Sequence, residues 1–272
     1  MQKQVADPQL RTSECGSMDH LQQTKQEFTR QAAGFAASAA TTDSRLTQRL
    51  IEAAGPSATQ LALDVACGPG IVTAALAGNV REVVAFDLTP EMLAKAHERC
   101  AKAGLRNVTF KEGSATDLPF PDDHFDIVVT RLSIHHFQEP RRVLSEMRRV
   151  LKNDGTLVIA DVVSSEITEK SALQNVIEVL RDPSHVRMHS ASQLVALICS
   201  AGLTIEKEDT WDQPREFEEW GSLVAFPERI DPLRTIVRSL ARVGEDAGMG
   251  LCLAGDSIVF FHRWYMIVAR KN

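Results

Sequence analysis

Leu61-Ala62-Leu63-Asp64-Val65-Ala66-Cys67-Gly68-Pro69-Gly70 reads as a buried strand with an acidic residue near its end, then a tight turn and a helix beginning near Ile71. Gly68 and Gly70 carry no Cβ, so the backbone can turn sharply there and come close to a ligand. A strand, a glycine turn and a helix in this order open the doubly wound sheets that bind nucleotides. Outward from this unit, strands are expected at Glu82–Asp87, Val108–Lys111, Phe125–Thr130 and Thr156–Asp161. Helices are expected at Ile71–Ala77, from Thr89-Pro90 to about Ala103, and at Glu139–Leu151. The second starts with a cap residue and a first-turn proline, and the third carries Val143, Leu144, Met147, Val150 and Leu151 on one stripe. Strands alternating with helices imply a mostly parallel, Rossmann-like α/β sheet with both faces covered.

Charge selects the nucleotide. Asp64 stands four residues before Gly68, where a carboxylate would repel a dinucleotide's pyrophosphate. The third glycine of the dinucleotide fingerprint is also replaced, by Thr73. S-adenosylmethionine (SAM) has no phosphate and carries a sulfonium and an ammonium, so Asp64 favours it. Asp87 ends the second strand at a spacing that suits a carboxylate accepting from both ribose hydroxyls. A helix cap or a solvated loop acid is the other reading of Asp87.

The rest of the chain sets bounds. With 272 residues it is read as one domain over 21–272: an N-terminal helical lid at 21–56, a SAM-binding core at 57–165, and a substrate cover with C-terminal strands at 166–272. Residues 1–20 are polar and aperiodic and read as a loose tail. A formal charge of −6 argues against nucleic acid as a partner, since a phosphate backbone calls for a basic face. Five scattered cysteines with no CxxC pair argue against a disulfide or metal framework and fit a cytoplasmic setting. No apolar run reaches the ~20 residues that stable membrane insertion needs. Nothing in the sequence reads on oligomeric state. Helices are also expected at Ser44–Ala54, stopped by Gly55-Pro56, and at Lys170–Leu180 and Ser190–Ala201. Leu203–Lys207 reads as a strand, Trp211–Asp256 has no assignment, and Ser257–Arg270 alternates like a β-strand.

The motifs LDVACGPG, VVAFDLTPEMLAKA, GSATDLPFPDDHFDIVVT, RLSIHHF and RRVLKNDGTLVIADV occur in this order. In that order and spacing the chain resembles class I SAM-dependent methyltransferases. It is most similar to small-molecule enzymes of the ubiquinone/menaquinone C-methyltransferase type. The resemblance implies a seven-stranded sheet ending in an antiparallel hairpin, with SAM as methyl donor and S-adenosylhomocysteine as product. It also implies a small organic acceptor, quinone-like or a secondary metabolite, with carbon favoured and oxygen or nitrogen as alternatives. A SAM-binding protein of noncatalytic or non-methylating role is the competing reading, because fold alone does not settle function.

Residue by residue, Asp64, Ala66, Gly68 and Gly70 are expected at the methionine end of SAM. Asp87 is expected on the ribose, and Leu88 and Met92 on the adenine, with Met92 equally readable as core. Ser114 and Ala115 would lie beside the adenine. The relatives commonly carry an acidic residue where Ser114 stands, so its contact is expected to be neutral and weaker. Cys67 reads as a small filler rather than a nucleophile, having no basic sequence neighbour. Arg131, His135 and His136 follow the fourth strand, at the edge where such sheets bind ligands. Arg131 is assigned to the cofactor. His135 is the candidate general base and His136 the lesser one, against a reading in which both are structural. The adjacent pair is not expected to hold a metal. Arg181, His185 and Arg187 could receive an anionic substrate, or tie the cover to the sheet as an ion-pair cluster. Phe28, Phe35 and Ser38 would close over the cleft, with Phe28 toward substrate and Phe35 and Ser38 toward cofactor. Helical core is the alternative for the two aromatics.

Overall fold

The alternation of short apolar strands with amphipathic helices builds a sheet covered on both faces in the computed structural model, which describes residues 15–37, 43–224 and 226–271. Two helices come first, α1 (Cys15–Ala37) and α2 (Ser44–Ala54). Then β1 (Leu61–Val65), α3 (Ile71–Ala77), β2 (Glu82–Asp87), α4 (Pro90–Lys102) and β3 (Val108–Glu112) form one half of the sheet. The other half contains β4 (Phe125–Arg131), a 3₁₀ turn at Ile134–His136, α5 (Pro140–Val150) and β5 (Leu151–Val163). After these come α6 (Thr168–Arg181), α7 (Ala191–Ser200), β6 (Leu203–Glu216), α8 (Phe217–Ser222), α9 (Pro227–Arg242), β7 (Cys252–Ala254) and β8 (Ser257–Lys271).

The strand order is β3-β2-β1-β4-β5-β8-β6, with β1 to β5 parallel and β8 antiparallel between β5 and β6. This is the expected seven-stranded path, and β7 adds a short eighth strand against Ser257–Val259 of β8. The chain winds from β1 toward β3, then returns to β4 on the other side of β1. The crevice at this reversal is where doubly wound sheets receive ligands.

Strand alternation divides the core. Leu61, Leu63 and Val65 face Val143, Leu144 and Met147 of α5 and Leu194 and Ile198 of α7. Ala62 faces Leu46, Leu50 and Ile51 of α2 and Val72 and Leu76 of α3. Burying each large apolar side chain contributes about 1.5–3 kcal/mol. A third cluster, built on Phe217, Trp220, Leu233 and Phe260, joins α6, α8, α9, β7 and the start of β8.

Three expectations change. The tail does not extend to residue 20, because α1 begins at Cys15; residues 1–14 lie outside the described residues. Only α1 takes a position over the cleft, whereas α2 packs its apolar stripe into the sheet core. The unassigned span after Trp211 contains the rest of β6, α8, α9 and β7. Its first part hid because β6 is an edge strand whose exposed face carries acidic residues instead of an apolar alternation. Among the described residues no helix is long and apolar enough to cross a membrane.

Candidate functional site

The turn after β1 is left-handed at Ala66 (φ 54°), Gly68 (φ 53°) and Gly70 (φ 75°). Cys67 N–H donates to the Phe86 carbonyl at 3.1 Å, which ties the turn to β2. The two glycines do different jobs. A Cβ on Gly70 would lie 2.6 Å from the Ala96 Cβ, so its absence lets α3 close on α4. A Cβ on Gly68 would meet nothing within 4 Å, because that side faces open space. After β4, Leu132 is also left-handed (φ 53°), held by its N–H on the Ala160 carbonyl at 2.9 Å. Left-handed non-glycine residues cost roughly 1–2 kcal/mol each. Two of them at the ends of adjacent central strands re-aim the chain around the crevice.

Between these turns lies a cavity of about 330 Å³. That is within the ~300–1,000 Å³ range of small-molecule and cofactor sites. At one end, Asp64 and Arg131 face it. Burial pushes the Asp64 carboxyl up to about 7, against the hydrogen bond from Thr73 Oγ1 (2.6 Å) and the Arg131 charge. Burial also draws Arg131 down to about 10, with Asp64 opposing. Farther along, Asp87 Oδ2 accepts from Gly68 N at 2.8 Å and Oδ1 from Thr89 N at 2.9 Å. Each carboxylate oxygen keeps a second lone pair, so these bonds leave acceptor capacity. Burial raises the Asp87 carboxyl while these backbone donors oppose it. Leu88, Met92, Ser114 and Ala115 line the next stretch, where the Ser114 hydroxyl lies 2.8 Å from the Thr116 hydroxyl. Cys67 lines the turn, and burial with the nearby Asp87 and Asp64 keeps its thiol protonated.

The far wall is α1, which contributes His20, Thr24, Phe28 and Phe35. Phe28 meets Phe35 edge-on at 6.1 Å and His136 edge-on at 4.9 Å. Lys25 pairs with Glu112 (2.6 Å) and Thr29 donates to Glu91 (2.8 Å), so α1 is fastened to the β3 end and to α4. Ser38 lies outside the described residues.

The two histidines exchange the places expected of them. His136 lines the cavity and His135 does not. His135 turns inward, its Nδ1 2.6 Å from Asp161 Oδ1, while Asp161 Oδ2 accepts from Ile134 N at 2.7 Å. Burial works against a charge on His135, but Asp161 outweighs it and raises the imidazole above its ordinary value. The His135 carbonyl also accepts from Val186 and Arg187 N–H, which docks the segment after α6. His136 is drawn down to about 3 by burial and by His135 beside it, so it is neutral.

None of the proposed substrate cations faces the cavity. Arg181 is buried on Glu178 (3.1 Å) and stacks on Trp220, and His185 Nε2 lies 3.0 Å from Asn175 Oδ1. Arg187 points to a surface cleft beside Gln193. Of the ion-pair cluster that was the alternative for RDPSHVR, the structure holds the Arg181–Glu178 pair, whereas His185 and Arg187 contact the neutral amides of Asn175 and Gln193. Reading the sequence missed His20, Thr24, Leu132, Phe137 and Arg142 as lining residues. Thr24 and Phe28 at helical spacing were a usable signal; the backbone reversal at Leu132 left none. Among the described residues no group of three or more His, Cys, Asp or Glu is arranged to hold a metal ion.

Comparison with known proteins places this geometry. A family model described as a methyltransferase domain matches residues 63–159. The uncharacterized methyltransferase YcgJ of Bacillus subtilis is 32% identical over 204 residues, spanning 75% of this chain and 80% of that protein. Its crystal structure superposes with a TM-score of 0.77 at 30% identity, over 84% of this chain and 98% of that one. The uncharacterized protein YafE of Escherichia coli is 36% identical over 171 residues, 62% of this chain and 83% of its own. The ubiquinone/menaquinone biosynthesis C-methyltransferase UbiE of Proteus mirabilis is 36% identical over 115 residues, 41% of this chain and 46% of its own.

Proposed function

The chain belongs to the SAM-dependent methyltransferases, and from that premise we propose that it methylates a small, largely apolar acceptor, at carbon in preference to oxygen or nitrogen. The observation that carries this is the order of charges along the cavity. Asp64 and Arg131 together present one anion and one cation at the glycine turn. That pair complements a zwitterionic amino-acid end, with the carboxylate toward the ammonium and the guanidinium toward the carboxyl group. Asp87 follows one strand over along the sheet edge, where its remaining lone pairs would accept both ribose hydroxyls. Leu88, Met92, Ser114 and Ala115 then form a slot for a flat base. Gly68 leaves its Cβ side open to the ligand.

SAM supplies an electrophilic methyl group on a sulfonium. The chain's contribution is alignment and exclusion of water, which can account for most of the barrier reduction in such a displacement. Phe28, Leu132 and Phe137 give the cavity an apolar wall that an acceptor would meet. His136, not His135, is the group that meets the acceptor's acidic hydrogen, since His135 is committed to Asp161. The partial identity to UbiE, together with these apolar walls, supports an aromatic or quinol-like acceptor and a carbon target.

Two measurements test this. Incubating the protein and methyl-labelled SAM with a cell extract should place label in a small apolar product, resolved by mass spectrometry. Label that stays in SAM across all fractions overturns the transfer. Asp87→Ala should weaken S-adenosylhomocysteine binding in calorimetry by about 10–100-fold, the scale of losing charged hydrogen bonds. Unchanged affinity overturns the ribose assignment.

A further inference from the structure

We propose that Asp182 and Ser184, in the segment after α6, are positioning residues for His136, fixing its proton on Nδ1 so that Nε2 takes the acceptor's proton during methyl transfer. This rests on the methyl-transfer reading above. His136 Nδ1 lies 3.0 Å from the Ser184 carbonyl oxygen and 3.2 Å from Ser184 Oγ. A carbonyl can only accept, so the imidazole proton sits on Nδ1 and Nε2 bears the lone pair. Ser184 Oγ in turn lies 2.7 Å from Asp182 Oδ1, and only the hydroxyl can donate to that carboxylate. The same carboxylate oxygen accepts from Ser184 N at 2.9 Å, which sets the serine's orientation. The order is therefore Asp182 carboxylate, Ser184 hydroxyl, His136 imidazole, cavity.

Packing alone does not account for this arrangement. Ser184 is fully buried and Asp182 is 1% exposed, yet Asp182 Oδ2 has no hydrogen-bond partner. An orphaned buried carboxylate oxygen weakens a fold, and native structures keep few of them. The neighbouring histidine shows the alternative wiring, since His135 sits directly on Asp161 and faces away from the cavity. Burial and the neighbouring His135 leave His136 uncharged at rest, so no second cation stands beside a sulfonium. During transfer the acceptor–carbon bond to the methyl forms as the sulfur–carbon bond breaks, with that electron pair left on sulfur. The acceptor's proton passes to Nε2. One cation is lost and one is formed, and the new imidazolium is stabilised through Ser184 by Asp182.

The experiment uses full-length protein with ¹⁵N-labelled histidine and S-adenosylhomocysteine added. Long-range ¹H–¹⁵N spectra at pH 7 should show His136 protonated on Nδ1 alone. Asp182→Asn keeps an acceptor oxygen for Ser184 and removes the charge, so it should move the Nδ1 proton upfield. Ser184→Ala should move the proton in the same direction. The other charged groups around this relay, His20 and Glu27 of α1 with Arg181, His135 and His185, are unaltered in both variants, and the His135 signals serve as the internal control. His136 protonated on Nε2, or an Nδ1 proton that Asp182→Asn leaves in place, overturns the relay. Calorimetry on the same samples reports separately: a wild-type protein that does not bind S-adenosylhomocysteine overturns the methyl-transfer reading while leaving the spectra to judge the relay.

Discussion

Gly68 and Gly70 share a motif and a left-handed backbone, yet different physics holds each in place. Gly70→Ala drives a Cβ into Ala96, and strain plus overpacking should cost about 2–4 kcal/mol in a denaturant melt. Gly68→Ala adds only the backbone strain, about 1 kcal/mol, but its methyl enters the cavity and should weaken S-adenosylhomocysteine at least about tenfold. Equal stability losses in the two variants would contradict this division. Asp64 supplies a second residue-scale prediction. Its carboxyl is held up at about 7 by burial, above an ordinary value of 3.8, so the free protein carries its proton below about pH 7. Pairing with an ammonium requires the ionised form. Affinity for S-adenosylhomocysteine should therefore rise with pH up to about 7, approaching tenfold per unit well below it, with a proton released on binding. Calorimetry in buffers of different ionisation enthalpy reads that proton directly. A pH-independent affinity between 5.5 and 7.5 contradicts it.

At the scale of elements, the 3₁₀ turn after β4 and the segment from Asp182 to Ser190 form one hydrogen-bonded unit, buried at Asp182, Ser184, His185 and Ser190. Val186 and Arg187 N–H bind the His135 carbonyl, and Ser164 N–H binds the His189 carbonyl. Burial dominates His185, drawing it down to about 4 with Glu178 opposing. In the unfolded chain it titrates at its ordinary 6.5, so the unfolded state binds more protons between 6.5 and 4. Its contribution to stability is thus complete above pH 6.5 and is lost as pH falls toward 4, on the order of 3 kcal/mol in all. His185→Gln should flatten the fall in melting temperature over that interval, and an unchanged slope would contradict the assignment. In the sequence RLSIHHF was legible as a site, because it follows a strand at the ligand edge. Which histidine faces the ligand was not legible. That depends on the 3₁₀ turn, whose direction is set by the Asp161 carboxylate accepting Ile134 N and receiving His135.

Across the whole molecule, the sheet core and the cavity wall are built from separate parts. Among the described residues, none of α1 belongs to the three apolar clusters, although α1 supplies Phe28 and Phe35 to the cavity. Removing residues 1–37 should leave a cooperatively folded protein with a lowered melting temperature, since α1 buries Ala32 and the polar Thr24, Glu27 and Gln31 but stands outside the apolar clusters that hold the sheet. Binding of S-adenosylhomocysteine should weaken strongly, because one wall of the site is gone. Loss of cooperative folding would show that α1 is part of the core. The third apolar cluster, around Trp220 and Phe260, reaches back to α1 through Arg30 over Phe226 and the approach of Gly34 to the Leu223 carbonyl. The C-terminal cover therefore sets how α1 lies over the cleft.

The order of strands and helices from β1 to the start of β6, the glycine turn and the two carboxylates at β1 and β2 were determined by the sequence itself. Each follows from local rules: apolar period, cap and breaker residues, and the fixed separation between neighbouring parallel strands. The bounds of β1, α2, α3, β2 and β8 fall within a residue of where those rules put them. Tertiary structure decided the rest. Arg181 and His185 looked like substrate cations because charge is visible in a sequence, while which way they turn is set by packing: Glu178, one turn earlier on α6, holds Arg181 inward, and Asn175 of α6 meets His185 in the segment that follows. His136 was set toward the ligand and His135 away from it by one buried carboxylate on β5. LDVACGPG fixes where the cofactor goes because its geometry is local; the acceptor's site depends on side chains brought together from α1, the β4 turn and the segment after α6, and no local rule specifies that meeting.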